Sequence, residues 1–164
     1  MRGLIALTLC AALAGCSSPM ATGPRDAAIP MRAMATVDTN AFSGRWWEVA
    51  TYLPDGASCV IGGLTVSPQP DGNLTLTEGP CADGRPRTGL ATRTGPGRYL
   101  FGGEELWLLW ADFEYSVAVI ATDAGRAHIL ARSLTPPADK LAAAREILDW
   151  NGFDVSTLAA ARRR

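Results

Sequence analysis

From residue 45 onward the chain runs in short apolar or alternating stretches, broken by Gly, Pro, Asn and Asp. Alternation with a period of two is the mark of a half-buried β-strand, and turn residues at close spacing mark an all-β chain. Trp46 to Leu53 reads as the first strand. Cys59 to Ser67 is the second, with Val60, Leu64 and Val66 on one parity. Pro70-Asp71-Gly72-Asn73 is a turn signal. Asn73 to Glu78 follows, with Leu74 and Leu76 alternating against Thr75 and Thr77. Arg87 to Thr94, Arg98 to Phe101, Leu106 to Trp110, Tyr115 to Thr122 and Ala127 to Ser133 bring the count to eight. The connections are hairpin-length, so the pattern predicts an up-and-down meander. A meander of this length can close on itself into an antiparallel barrel with room for one small ligand.

The period changes only after the eighth strand. Thr135-Pro136-Pro137 opens a helix, with Thr135 or Pro136 near the cap and Pro137 in the first turn. Leu141, Ala144, Ile147 and Leu148 recur at helical spacing, and Gly152 ends the helix. One amphipathic helix cannot bury its stripe alone, so it is expected to pack on the outer wall of the barrel.

The N-terminus sets the compartment. Arg2 precedes an apolar run from Leu4 to Leu13, too short for a permanent membrane span and suited to a signal peptide. Leu13-Ala14-Gly15-Cys16 resembles the lipobox of bacterial lipoproteins. That resemblance implies a signal peptide over residues 1–15, with the Cys16 thiol carrying diacylglycerol and the N-terminus freed by cleavage acylated too. It makes palmitate a natural acyl group and the membrane a partner through the lipid anchor. Several acyl chains make a stable anchor, at about 0.8 kcal/mol per buried CH₂. Ser17 rather than Asp after the cysteine implies, by the same resemblance, the periplasmic face of the outer membrane. The alternative is an ordinary secretory signal with an incidental cysteine. Residues 16–40 are rich in Ser, Pro, Ala, Met and Gly and read as a flexible tether. One domain is expected over residues 41–158, followed by a tail at 159–164 ending in Arg162-Arg163-Arg164.

Cys10 leaves with the signal and Cys16 carries lipid, so Cys59 and Cys81 remain. Two thiols in an oxidising compartment read as a disulfide, across a hairpin that brings them near one another. Two separate buried thiols are the alternative. A zinc site is disfavoured, because the chain has one His and no further free Cys. The formal net charge is −1. With no basic stripe, nucleic acid is excluded as a partner. No cofactor is implied and the oligomeric state is open.

Three motifs then carry a family resemblance. Gly44-Arg45-Trp46 is similar to the Gly-x-Trp signature that precedes the first lipocalin strand. Ala111-Asp112-Phe113 resembles the second signature, usually Thr-Asp-Tyr. Arg132, in Ile129-Leu130-Ala131-Arg132-Ser133, resembles the arginine that ends the last strand. The helix followed by Gly152-Phe153-Asp154-Val155 is similar to the bacterial, outer-membrane lipoprotein subgroup. The match covers nearly all of residues 41–158. It implies that Trp46 plugs the closed end of the barrel with the Arg132 guanidinium across its ring, a structural pairing of about 1–2 kcal/mol when desolvated. The sequence departs from the family in four places. Ala111 and Phe113 lack two hydrogen-bonding handles. His128 stands where relatives often have Trp. The strand that often follows the helix is replaced by Ala159-Ala160-Ala161 and arginines.

The resemblance implies a carrier of a small hydrophobic ligand, such as a fatty acid or lysophospholipid, in membrane maintenance or stress. No catalysis is expected: His128 has no obvious Ser or Cys partner, and Glu104-Glu105 sits at a turn and reads as solvated. The rival is a protein-interaction or inhibitor module whose barrel is filled by its own side chains. Lining follows parity. If Trp46 points inward, so do Glu48, Ala50 and Tyr52. Glu48 then either bonds a polar ligand head or is tied to Arg45 or another base-end partner, the commoner arrangement. Leu106, Leu108 and Trp110 share one face of their strand; Trp107 and Leu109 share the other. Glu48, Tyr52, Leu108, Trp110 and Tyr115 are the candidate ligand contacts.

Overall fold

A computed structural model describes residues 23–52, 62–80 and 84–161. The lipobox with Cys16, both candidate disulfide partners Cys59 and Cys81, and the terminal arginines lie outside the described residues. Eight antiparallel strands form a closed meander: β1 (Gly44–Tyr52), β2 (Gly63–Pro68), β3 (Leu74–Glu78), β4 (Arg87–Gly95), β5 (Arg98–Phe101), β6 (Glu104–Ala111), β7 (Val117–Thr122) and β8 (Ala127–Ala131). Closure runs through β1. Its first half pairs with β2, as in Trp46 opposite Leu64, and its second half pairs with β8, as in Glu48 opposite Leu130. One strand can serve both neighbours because it bends at an irregularity between Glu48 and Ala50.

Two apolar clusters follow from the closure. The inner one fills the barrel and includes Trp46, Leu64, Leu74, Leu76, Leu108, Ile120 and Leu130. The outer one lies between the wall and α2 (Ala138–Trp150), and includes Val117, Val119, Ile129, Ala144 and Leu148. The helix starts one residue later than expected. Pro137 is the N-cap and offers no side-chain hydrogen bond to the first turn. At the other end Gly152 takes φ +84°, where a Cβ would stand 2.9 Å from the Asp26 carbonyl oxygen. Glycine is required there both for the turn and for the approach of the N-terminal segment.

That segment corrects one expectation. The tether does not extend to residue 40. From Pro24 the chain lies on the barrel: Asp154 N–H donates to Pro24 O, Arg32 N–H donates to the Asn151 side chain, and Met34 N–H donates to Leu108 O. It ends in α1 (Thr39–Phe42), capped by the Asp38 carboxylate on the amides of Asn40 and Ala41. A second correction concerns the far end. Ala159–Ala160 does form a short strand, β9, paired to the outer edge of β1 at Ala50 and Thr51. The bend that carries β1 away from β2 leaves that edge free to accept it.

Candidate functional site

The closed end is built first. Gly44 adopts φ +91°, and a Cβ there would touch the Arg132 guanidinium. Trp46 is fully buried, and its indole N–H donates to Phe42 O at 2.8 Å. The Arg132 guanidinium carbon lies 3.7 Å from the Trp46 ring centroid. Its N–H groups donate to the carbonyls of Ala41, Ser43, Arg45 and Tyr115. A planar fork matches several carbonyls at once, which a lysine would not do. Tyr115 belongs to this floor. Its backbone sits at φ +51° and its hydroxyl accepts from Asp38 N–H at 2.9 Å. It is half-buried beneath the inner cluster, so as a ligand contact it is corrected to a floor residue.

Asp112 organises the adjacent turn. Its carboxylate accepts from the amides of Ser116 and Val117, at 2.7 and 2.6 Å, and from Lys140 Nζ at 2.7 Å. Burial pushes its pKa up, but the bonds from Lys140, Val117 and Ser116 outweigh that and hold the carboxyl below the usual range. Phe113 beside it points wholly into solvent.

The wall residues divide by two irregularities in the strands. Trp46 and Glu48 face inward, but the register shift before Ala50 reverses the parity, so Ala50 and Tyr52 join the outer cluster. Tyr52 stacks on Phe153, with centroids 5.5 Å apart, and its hydroxyl donates to Asp154 O at 2.6 Å. Burial, then the Asp154 charge, push its pKa up to about 12. In β6 a shift between Leu108 and Trp110 does the same. Leu106 and Leu108 are inside, while Trp107, Leu109 and Trp110 are outside against the helix-side cluster. Tyr52 and Trp110 are therefore corrected from lumen contacts to outer-wall packing. Glu48 and Leu108 face the lumen.

Inside the mouth half, Glu48 meets a residue that its sequence neighbours did not suggest. His128 Nδ1 is 2.6 Å from Glu48 Oε1 and 2.9 Å from Thr51 Oγ1. The side chains of both Glu48 and His128 are 1 % exposed. Arg45 is not the partner of Glu48; its guanidinium lies over the Trp47 ring at 4.5 Å. Parity could have revealed the pair. Arg132 and Trp46 meet across β8 and β1, and nearer the mouth Glu48 shares the parity of Trp46 and His128 that of Arg132. The trio is not a nucleophilic triad. Both Thr51 and Glu48 address the same ring nitrogen, whereas a relay needs the hydroxyl on one nitrogen and the carboxylate on the other. Among the described residues, Glu48 Oε2 and His128 Nε2 have no hydrogen-bond partner, and Arg126 Nε is in the same condition.

Other charges toward the mouth form pairs. Arg87 Nε donates to Glu78 at 2.7 Å, and Arg126 pairs with Glu104. Glu105 accepts from Thr94 Oγ1 and lies near Arg98, so neither Glu104 nor Glu105 is merely solvated. A cavity of about 240 Å³ lies on the outer wall instead, lined by residues including Arg45, Thr65, Thr77 and Pro86.

No family model matches the chain, and no curated protein does. Solved structures do. The cockroach allergen Per a 4 superposes with a TM-score of 0.63 at 11 % identity, over 83 % of this chain and 96 % of that one. The bovine lipocalin allergen Bos d 2 gives 0.62 at 14 % identity, over 76 % and 95 %. Lobster apocrustacyanin A1 gives 0.56 at 18 % identity, over 83 % and 91 %. The fold is that of the lipocalins: a closed eight-stranded antiparallel barrel with one C-terminal helix outside it.

Proposed function

We propose that this chain is a lipocalin-type carrier of a small hydrophobic ligand, tethered through lipidated Cys16 to the periplasmic face of the outer membrane, and that it catalyses nothing. The observation that carries the binding reading is the polarity of the barrel interior. The floor and middle are lined mainly by apolar side chains, from Trp46 through Leu74, Leu76, Leu108 and Leu130, while among the described residues the buried ionisable side chains Glu48, Glu78, Arg126 and His128 lie toward the mouth. An amphiphile has the same layout. Burying its chain would release about 25 cal/mol per Å² of apolar area. The lipobox at Cys16, the Cys59–Cys81 disulfide and a role in membrane maintenance belong to this reading on sequence grounds alone.

One observation favours the second reading, an envelope interaction module with a filled barrel. The inner side chains of Trp46, Leu74, Leu76, Ala118 and Leu130 present no accessible surface, even to the interior. A carrier must therefore repack some of these on binding. Native mass spectrometry of the full-length protein from a membrane fraction separates the two. The carrier reading expects a non-covalent lipid mass that leaves on denaturation, besides the covalent acyl mass that Cys16→Ser abolishes. A chain with no such lipid and no response to added amphiphiles belongs to the second reading.

A further inference from the structure

We propose that the mouth half of the lumen, at Glu48 and His128, reads an uncharged hydroxyl head group, so that the preferred ligand is a long-chain alcohol or similarly hydroxyl-headed lipid rather than a fatty-acid anion. This rests on the carrier reading and narrows it.

Two buried polar atoms of one hydrogen-bonded pair lack partners among the described residues. Glu48 Oε1 is taken by His128 Nδ1, leaving Oε2 with no partner; His128 Nε2 likewise has none. Both belong to side chains that are 1 % exposed and share the inward parity of Trp46 and Leu130. A buried carboxylate oxygen left unmatched is costly, so a group that satisfies it gains strongly. Glu48 Oε2 only accepts when ionised. A ligand hydroxyl gives it a hydrogen; a ligand carboxylate gives it none and adds a like charge in a low-dielectric space. His128 Nε2 accepts as the neutral ring and donates as the imidazolium, and a hydroxyl answers either state.

The charge balance among the described residues also weighs against the fatty-acid anion. Among the described residues on the mouth side, Arg87 faces Glu78 and Arg126 faces Glu104, and the His128 ring is hydrogen-bonded to Glu48. Arg85 is engaged as well. Arg126 Nε is a further unpartnered donor, but the charge it carries is already matched by Glu104. An anionic head would thus enter without a counter-charge, whereas a hydroxyl needs none.

Binding of hexadecanol, palmitate and hexadecane to the full-length, delipidated chain at neutral pH tests this, read from Trp fluorescence. Hexadecanol is expected to bind at least about tenfold tighter than palmitate, a difference of about 1.4 kcal/mol. Glu48→Gln, which removes the charge and keeps the shape, should narrow that ratio by admitting palmitate. Palmitate binding as tightly as hexadecanol would overturn the inference and leave the carrier reading standing. So would a preference unchanged in both Glu48→Gln and His128→Phe. If none of the three probes binds, the carrier reading itself falls. The comparison on the unsubstituted chain decides the matter even if a variant fails to fold.

Discussion

At the scale of single residues, the structure rests on side chains that have two jobs. Arg132 covers the Trp46 ring and also gathers four carbonyls from α1, β1 and the β6–β7 turn, which bind the floor into one unit. Arg132→Ala removes the ring contact and leaves several part-buried carbonyls without their donor. The expected loss is about 3 kcal/mol, read as a lower urea midpoint with an unchanged slope. Arg132→Lys should recover little of it, since one ammonium cannot reach what a fork does. The floor residues were legible in the sequence, because Gly44, Trp46 and Arg132 form a set with a known geometric purpose. The polar pair above them was only half legible. Glu48 stood out as a carboxylate on an inward parity. His128 did not, because nothing local in Ala127-His128-Ile129 says that a carboxylate lies across the strand.

At the scale of elements, the errors of sequence reading share one physical cause. Parity is a local rule, and one extra residue in a strand reverses every position after it. The shifts in β1 and β6 sent Tyr52 and Trp110 to the outer wall, while Leu108, lying before its shift, stayed inside. Bulges have no dependable sequence mark here: neither Val49 nor Leu109 is a glycine. The outer position of Tyr52 makes a checkable statement about how β1 is joined to the segment after α2. Its hydroxyl is buried and bonded to Asp154 O, and its pKa rises to about 12 from an ordinary value of about 10. Folding thus favours the neutral phenol. The stability this contributes is complete below pH of about 10 and is lost as pH rises toward about 12, because the unfolded chain ionises first. Tyr52→Phe should be slightly less stable at neutral pH, by about 1 kcal/mol, and should lose part of that alkaline decline. Chemical denaturation at a series of alkaline pH values measures both.

At the scale of the molecule, the eight barrel strands, the meander and the outer helix were all readable, since each follows from period and turn chemistry. The extent of the domain was not. Residues 24–40 carry no periodicity, because they lie along the barrel as a strap held by scattered hydrogen bonds and by Met31, Met34 and Val37 rather than by an alternating face. The strap, α1 and Arg132 together shut one end, so any occupant must sit between the floor and the mouth-side polar pair. That placement is the central claim. It competes with one concrete alternative, the outer-wall cavity beside Thr65 and Thr77. Photo-crosslinking the full-length chain with a diazirine-bearing long-chain alcohol, followed by peptide mapping, distinguishes them. The account predicts adducts on inward residues such as Leu76, Leu108 and Ile120; adducts confined to the outer wall around Arg45, Thr65 and Pro86 would contradict it.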